Sequence, residues 1–167
     1  TSNNLLKMRN SANDGWIDLR TLTGGLTSSS DATINSVTVG KGANSVAGNT
    51  ALGEGALDDS VTGDDNTAVG KNALTLNTSG GENTAIGRRV LQANTTGSDN
   101  TALGVSALKL NVTGNNNTAV GYDALGANTA SGNSALGHQA LQANTTGAGN
   151  IGVGKNSLLV NTTGNYN

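Results

Sequence analysis

One five-residue phrase, Asn-[Thr/Ser]-Ala-[Val/Ile/Leu]-Gly, returns along the chain with its glycine at Gly53, Gly70, Gly87, Gly104, Gly121, Gly137 and, in variant form, Gly154. The steps between these glycines are 17, 17, 17, 17, 16 and 17 residues. A leucine stands four residues after each of them, at Leu57, Leu74, Leu91, Leu108, Leu125, Leu141 and Leu158, and an alanine precedes it in five of the seven units. The consensus N-T-A-V-G-x-x-A-L-x-x-N-T-T-G-x-x covers about residues 49 to 167, and its 17 slots are counted below from the leading Asn. A period this short and this regular is the signature of stacked copies of one small unit, which bury apolar surface only against one another.

Local chemistry decides what the unit is. Each carries two glycines and several Asn, Thr and Ser residues, all poor in helix interiors. What remains is two short extended pieces, "NTAV" and "xxALxx", separated by glycine turns. The expectation is an all-β protein, a trimeric parallel β-solenoid or β-roll of about seven 17-residue coils. With neighbouring strands ~4.8 Å apart, seven coils make a rod roughly 30 to 35 Å long. In the unit "NTAVGKNALTLNTSG" the expected thin core is Ala68, Val69, Ala73 and Leu74, with Gly70 and Gly80 as corners. The same roles fall to Ile86, Gly87, Leu91, Leu103, Gly104, Leu108, Val120, Gly121 and Leu125 in later units.

Composition explains the number of chains. There is no Phe, Cys or Pro, and Leu, Ile and Val together number 33 of 167 residues, near the ~20% below which a highly charged chain stays disordered. Net charge is only −2, so the balance favours a thin folded structure with little core per unit length. One chain offers about four apolar side chains per coil, two of them usually Ala, and three chains around one axis would bury more; a homotrimer is therefore expected.

The ends depart from the repeat. Residues 1–23 alternate Leu6 and Met8 with Lys7 and Arg9, then Ile17 and Leu19 with Asp18 and Arg20, around a turn-forming stretch, which predicts a β-hairpin module carrying the sole Trp16. Residues 24–33 read as a flexible connector, 34–48 as an entry or capping coil, and 49–167 as the solenoid, incomplete at its C-terminus. A start at Thr1 and an end inside a unit fit a piece of a longer protein. The short step falls in "GANTASGN", residues 126–133, and predicts an exposed turn there.

Several functions find little purchase. Lacking Cys, the chain has neither a disulfide scaffold nor a Cys-type zinc site. No apolar run reaches the ~18 residues of a membrane span, and the charges form no basic stripe for nucleic acid. "GNIGVGKN", residues 149–156, fits a phosphate-loop pattern loosely, but Asn156 replaces the Ser or Thr that would bind magnesium, and the stretch sits wholly inside the repeat. His138 is the only histidine, so one chain builds no catalytic triad, and a threefold metal site at this solvent-facing slot is disfavoured. Asp58, Asp59, Asp64 and Asp65 lack the Gly-rich calcium-roll pattern and read as a solvated turn. The sequons at Asn77, Asn94, Asn111, Asn144 and Asn161 share one slot and read as a single coincidence copied five times. Neither catalysis nor a cofactor is expected. Slot 6 varies freely through Glu54, Lys71, Arg88, Val105, Tyr122, His138 and Lys155; there Tyr122 and His138, in adjacent coils, would stand ~5 Å apart as a candidate receptor-binding surface for a sugar ring.

The run "NTAVGKNAL…NTSGGENTAIG", with "TGNNNTAVGYDAL" and the opening "NNLLKMRNSANDGWIDLRTLTGG", resembles bacteriophage tail-fibre proteins. The [ST]-x-A-[IVL]-G core is also similar to the head repeats of trimeric bacterial adhesins. The likeness implies a trimeric virion component, shaft or adhesive segment of a tail fibre, acting in host attachment. Its implied partners are its own copies, other fibre or baseplate proteins, and a host receptor such as a glycan. A bacterial surface adhesin head is the alternative, and a polysaccharide-degrading tailspike is disfavoured because near-identical repeats leave no unique cleft for a carboxylate pair.

Overall fold

The computed structural model describes residues 7–9, 16–18, 32–34, 37–59 and 61–167. Near the N-terminus β1 (Lys7–Arg9) pairs antiparallel with β2 (Trp16–Asp18), Met8 opposite Ile17. The rest of the expected hairpin and residues 24–31 of the expected connector lie outside the described residues. A nine-stranded sheet follows. Its first strand, β3 (Ala32–Ile34), pairs antiparallel with β4 (Val37–Gly40), and β4 pairs antiparallel with β5 (Thr50–Gly53).

From β5 onward every step is parallel, through β6 (Thr67–Val69), β7 (Thr84–Ile86), β8 (Thr101–Leu103), β9 (Thr118–Val120), β10 (Ser134–Leu136) and β11 (Ile151–Val153). From Ala51 to Ala119 each alanine of the motif pairs with the alanine one coil on, as Ala68 with Ala85 and Ala85 with Ala102, and Ala135 then meets Gly152. Sequence period and coil length therefore coincide, and each slot stacks on itself. The fold is a parallel β-solenoid. Its entry differs from the expected degenerate coil: residues 37–40 join the sheet antiparallel, a 3-10 turn at Ala43–Ser45 follows, and Ala43 and Val46 pack on the core. An antiparallel entry covers the first coil without extending the parallel ladder.

Coil-to-coil bonding runs well beyond the three-residue strands. Leu74 N–H donates to the Val90 carbonyl at 3.1 Å and Arg89 N–H to the Lys71 carbonyl at 2.9 Å, both in segments between strands. The expected second extended piece, "xxALxx", is instead a turn. Its leucine has positive φ in every coil, 50° at Leu74 and 48° at Leu91, a conformation costing an L-residue about 1–2 kcal/mol. Full burial of a leucine side chain returns about 1.5–3 kcal/mol, and Leu57, Leu74, Leu91, Leu108 and Leu125 are all completely buried. The left-handed turn is what carries this side chain into the coil.

The slot-5 glycines meet two demands together. Gly70 has φ of 125°, and a Cβ there would come within 2.6 Å of the Gly87 carbonyl oxygen. Any side chain would force the coils apart.

The core differs from expectation on one point. Ala68, Ala73, Leu74, Leu91, Leu108 and Leu125 are buried, but Val69 and Val120 are only half-buried, while Ile86 and Leu103 are 38% and 45% exposed. Strand alternation is the cause: with Ala at the centre of Thr-Ala-Val turned inward, Thr and Val must point outward. The space left inside is taken by asparagine. Asn66, Asn83, Asn100 and Asn117 at slot 1, and Asn77, Asn94, Asn111 and Asn128 at slot 12, are fully buried.

Candidate functional site

The asparagines form two ladders along the rod, and these bear on the sequons first. Asn66 Nδ2 and Asn77 Nδ2 both donate to the Gly80 carbonyl, at 2.9 and 2.8 Å. Asn94 Nδ2 donates to Asn77 Oδ1 at 2.8 Å, and Asn83 N–H to Asn66 Oδ1 at 3.1 Å. A buried amide engaged in this way has no room for a glycan, so the sequon slot is core. Sequence reasoning missed this role, although the signal was present: Asn holds slot 1 in all seven units and slot 12 in six, while exposed slots drift.

The outer surface is therefore where recognition would occur. Slot 6 stacks in register, since Asn72 N–H reaches the Glu54 carbonyl and Gln139 N–H the Tyr122 carbonyl, both at 2.8 Å. Glu54, Lys71, Arg88, Tyr122, His138 and Lys155 are exposed, and Val105 is half-buried. The Tyr122 and His138 rings stack with centroids 5.0 Å apart and planes inclined by 16°. Near-parallel rings at that distance turn one face each toward the other. The faces so engaged are closed to a sugar; the ring edges, and the 51% of Tyr122 that remains exposed, are what the surface presents. Beside them Gln142 Nε2 donates to Asp123 Oδ2 at 2.7 Å, a carboxylate and an amide next to the aromatic pair. Further along the column Lys71 bridges Glu54 at 2.9 Å, a solvent-exposed pair of little energetic weight.

The second outer feature is the sheet face itself. Leu52, Val69, Ile86, Leu103, Val120, Leu136 and Val153 make one column, and Thr50, Thr67, Thr84, Thr101, Thr118, Ser134 and Ile151 run beside it. The apolar column is unbroken from end to end. Between β9, β10 and β11 it dips into a shallow groove lined by Thr118, Val120, Ser134, Ala135, Leu136 and Val153.

The remaining sequence candidates resolve by position. Within "GNIGVGKN", Ile151–Val153 is strand β11, and Gly154 N–H is committed to the Leu136 carbonyl at 2.7 Å, so these amides cradle no phosphate. Among the described residues no three His, Cys, Asp or Glu side chains gather as a metal site, and no helix is long and apolar enough to cross a membrane. In the stretch expected as an exposed turn, Thr129, Ser131 and Gly132 are exposed, but Gly126, Asn128 and Asn133 are buried, because the asparagine ladders pass through it. No family model, no curated protein and no solved structure matches the chain.

Proposed function

We propose that the chain is a structural segment of a bacteriophage tail fibre, a homotrimeric rod that serves as shaft or adhesive surface in attachment to the host cell. The observation that carries this reading is the column from Leu52 to Val153. Seven aliphatic side chains stand in line on the outside of a rod whose own core is Ala, Leu and Asn with Val61 and Val90. A contiguous apolar strip of this kind marks an interaction surface. Because it runs the whole length of the sheet with one rung per coil, the partner that fits it best has the same rise per coil, namely further copies of the same chain.

Resemblance of the repeat to tail-fibre arrays supports the role in the virion. The outer columns support the contact with a host receptor, with Tyr122 and His138 as the candidate site on a glycan. The enzyme reading remains the less favoured one, because near-identical repeats leave no unique cleft for a carboxylate pair.

Two measurements test the proposal. Mass photometry of the purified chain at micromolar concentration is expected to give a trimer, and a clean monomer overturns that part. The coding sequence on either side is expected to encode a virion-anchoring domain upstream; a membrane β-barrel anchor downstream would make the protein a bacterial adhesin instead.

A further inference from the structure

Along the sequence the charges look scattered, but stacking sorts them. Slots 16 and 17 bring Asp64, Asp65, Glu82 and Asp99 into one column, and slots 6 and 7 bring Lys71, Arg88 and Arg89 into another. The backbone holds both in register: Glu82 N–H reaches the Asp64 carbonyl at 3.0 Å, and Ser106 N–H the Arg88 carbonyl at 3.0 Å. The acidic column lies just before the strands and the basic column just after their glycine corner. The apolar sheet face is thus framed, with acid along one edge and base along the other.

Three observations make this frame more than a drift of surface residues. All seven side chains are exposed, and of them only Lys71 is seen in an ion pair, with Glu54; Arg88, Arg89, Asp64, Asp65, Glu82 and Asp99 form none among the described residues. Each column stacks like charges at about one strand spacing, an arrangement that is unfavourable unless an opposite column lies against it. Both columns also keep to the first half of the parallel ladder. The acidic edge ends at Asp99, before β8, and continues as Asn116, Gly132, Gly149 and Tyr166; the basic edge ends one coil earlier, after β7, and continues as Val105, Ser106, Tyr122, Asp123 and His138 until Lys155.

We infer that copies of this chain associate in parallel and in register, sheet faces toward a common axis, with Arg88 and Arg89 of one copy against Glu82 and Asp99 of the next. This rests on the trimer reading and specifies its geometry. Rotation about an axis along the rod sets every basic edge against a neighbour's acidic edge, a head-to-tail contact that closes into a ring. An antiparallel pair, related by a twofold across the rod, would set acid on acid and base on base. It would also bring the charge-rich coils of one chain against the later coils of the other, where these edges carry only Asp123 and Lys155 beside His138. The charge layout therefore selects parallel over antiparallel packing and pins the register, while the apolar column supplies the attraction.

Charge exchange in the full chain tests the inference. The variants are Arg88→Glu with Arg89→Glu, Glu82→Lys with Asp99→Lys, and all four together, each checked for an intact coil by far-UV circular dichroism. Analytical ultracentrifugation at low and high salt reads association. Each double variant is expected to weaken the oligomer at least ~10-fold at low salt, with the effect shrinking as salt screens it, and the fourfold variant to recover wild-type association. Double variants that associate like wild type, or a fourfold variant that fails to recover, overturn the inference. So does an arginine double variant that keeps its oligomer but loses retention on heparin, which would make the basic edge a site for an anionic polysaccharide. A monomeric wild-type chain would instead remove the trimer reading itself.

Discussion

At the scale of single residues, the chain uses asparagine where most cores use leucine. Asn83 donates to Asn66 Oδ1 at 3.0 Å and to the Gly97 carbonyl at 2.8 Å, while its Oδ1 accepts from the backbone and side-chain amides of Asn100, both at 3.0 Å. Removing such a group orphans its buried partners, which costs more than the bonds themselves contribute. Asn83→Ala is therefore expected to lower stability by about 2–4 kcal/mol in urea denaturation, and a loss under about 0.5 kcal/mol would mean the ladder is energetically idle. Tyr122 is a surface residue stacked on His138, so Tyr122→Ala should leave the fold intact. On an array of bacterial surface glycans the same variant should lose any binding the parent has; unchanged binding removes this site.

At the scale of the element, the 16-residue coil shows what one residue is worth. In the neighbouring coils each slot-12 Asn accepts from the next, as Asn94 Oδ1 does from Asn111 Nδ2 at 3.0 Å. Asn111 Oδ1 is buried without a hydrogen-bond partner: in the shortened coil the Asn128 amide keeps the carbonyl bond that its counterparts make, here to Ala130 at 2.8 Å, but not their bond back to the preceding asparagine. Inserting Gly between Ala130 and Ser131 restores the Asn-x-x-Gly spacing. It is expected to raise stability by about 1 kcal/mol, the worth of a recovered buried hydrogen bond; no gain, or a loss, would show that the ladder is already broken for another reason. Much of this element was legible beforehand. Glycine corners, inward alanines and leucines and parallel stacking all follow from slots that repeat. The left-handed leucine was not legible, since its φ is set by closing the coil and Leu by itself disfavours that region. The outward Val69 and Ile86 were missed for a related reason: hydrophobicity suggested the interior, and alternation around an inward Ala overrode it.

At the scale of the whole molecule, stability is built coil on coil, while the association proposed above would be carried by surfaces that the coil does not need for itself. Lysine at two positions of the apolar column, Ile86→Lys with Leu103→Lys, is therefore expected to keep the β-rich circular dichroism of the parent and to yield a monomer by mass photometry. A variant that stays oligomeric would place the interface elsewhere. The amino-acid sequence by itself determined the coil length, the parallel register and the glycine corners, because a 17-residue period makes every slot its own neighbour whatever the cross-section of the rod. Only the tertiary structure decided which side chains face inward, that asparagine would fill the centre, and that scattered charges would gather along the two edges of one face. Those outcomes depend on where the backbone bends to close each coil. That bend is a property of the closed loop and its stacked neighbours, and no single residue's chemistry contains it.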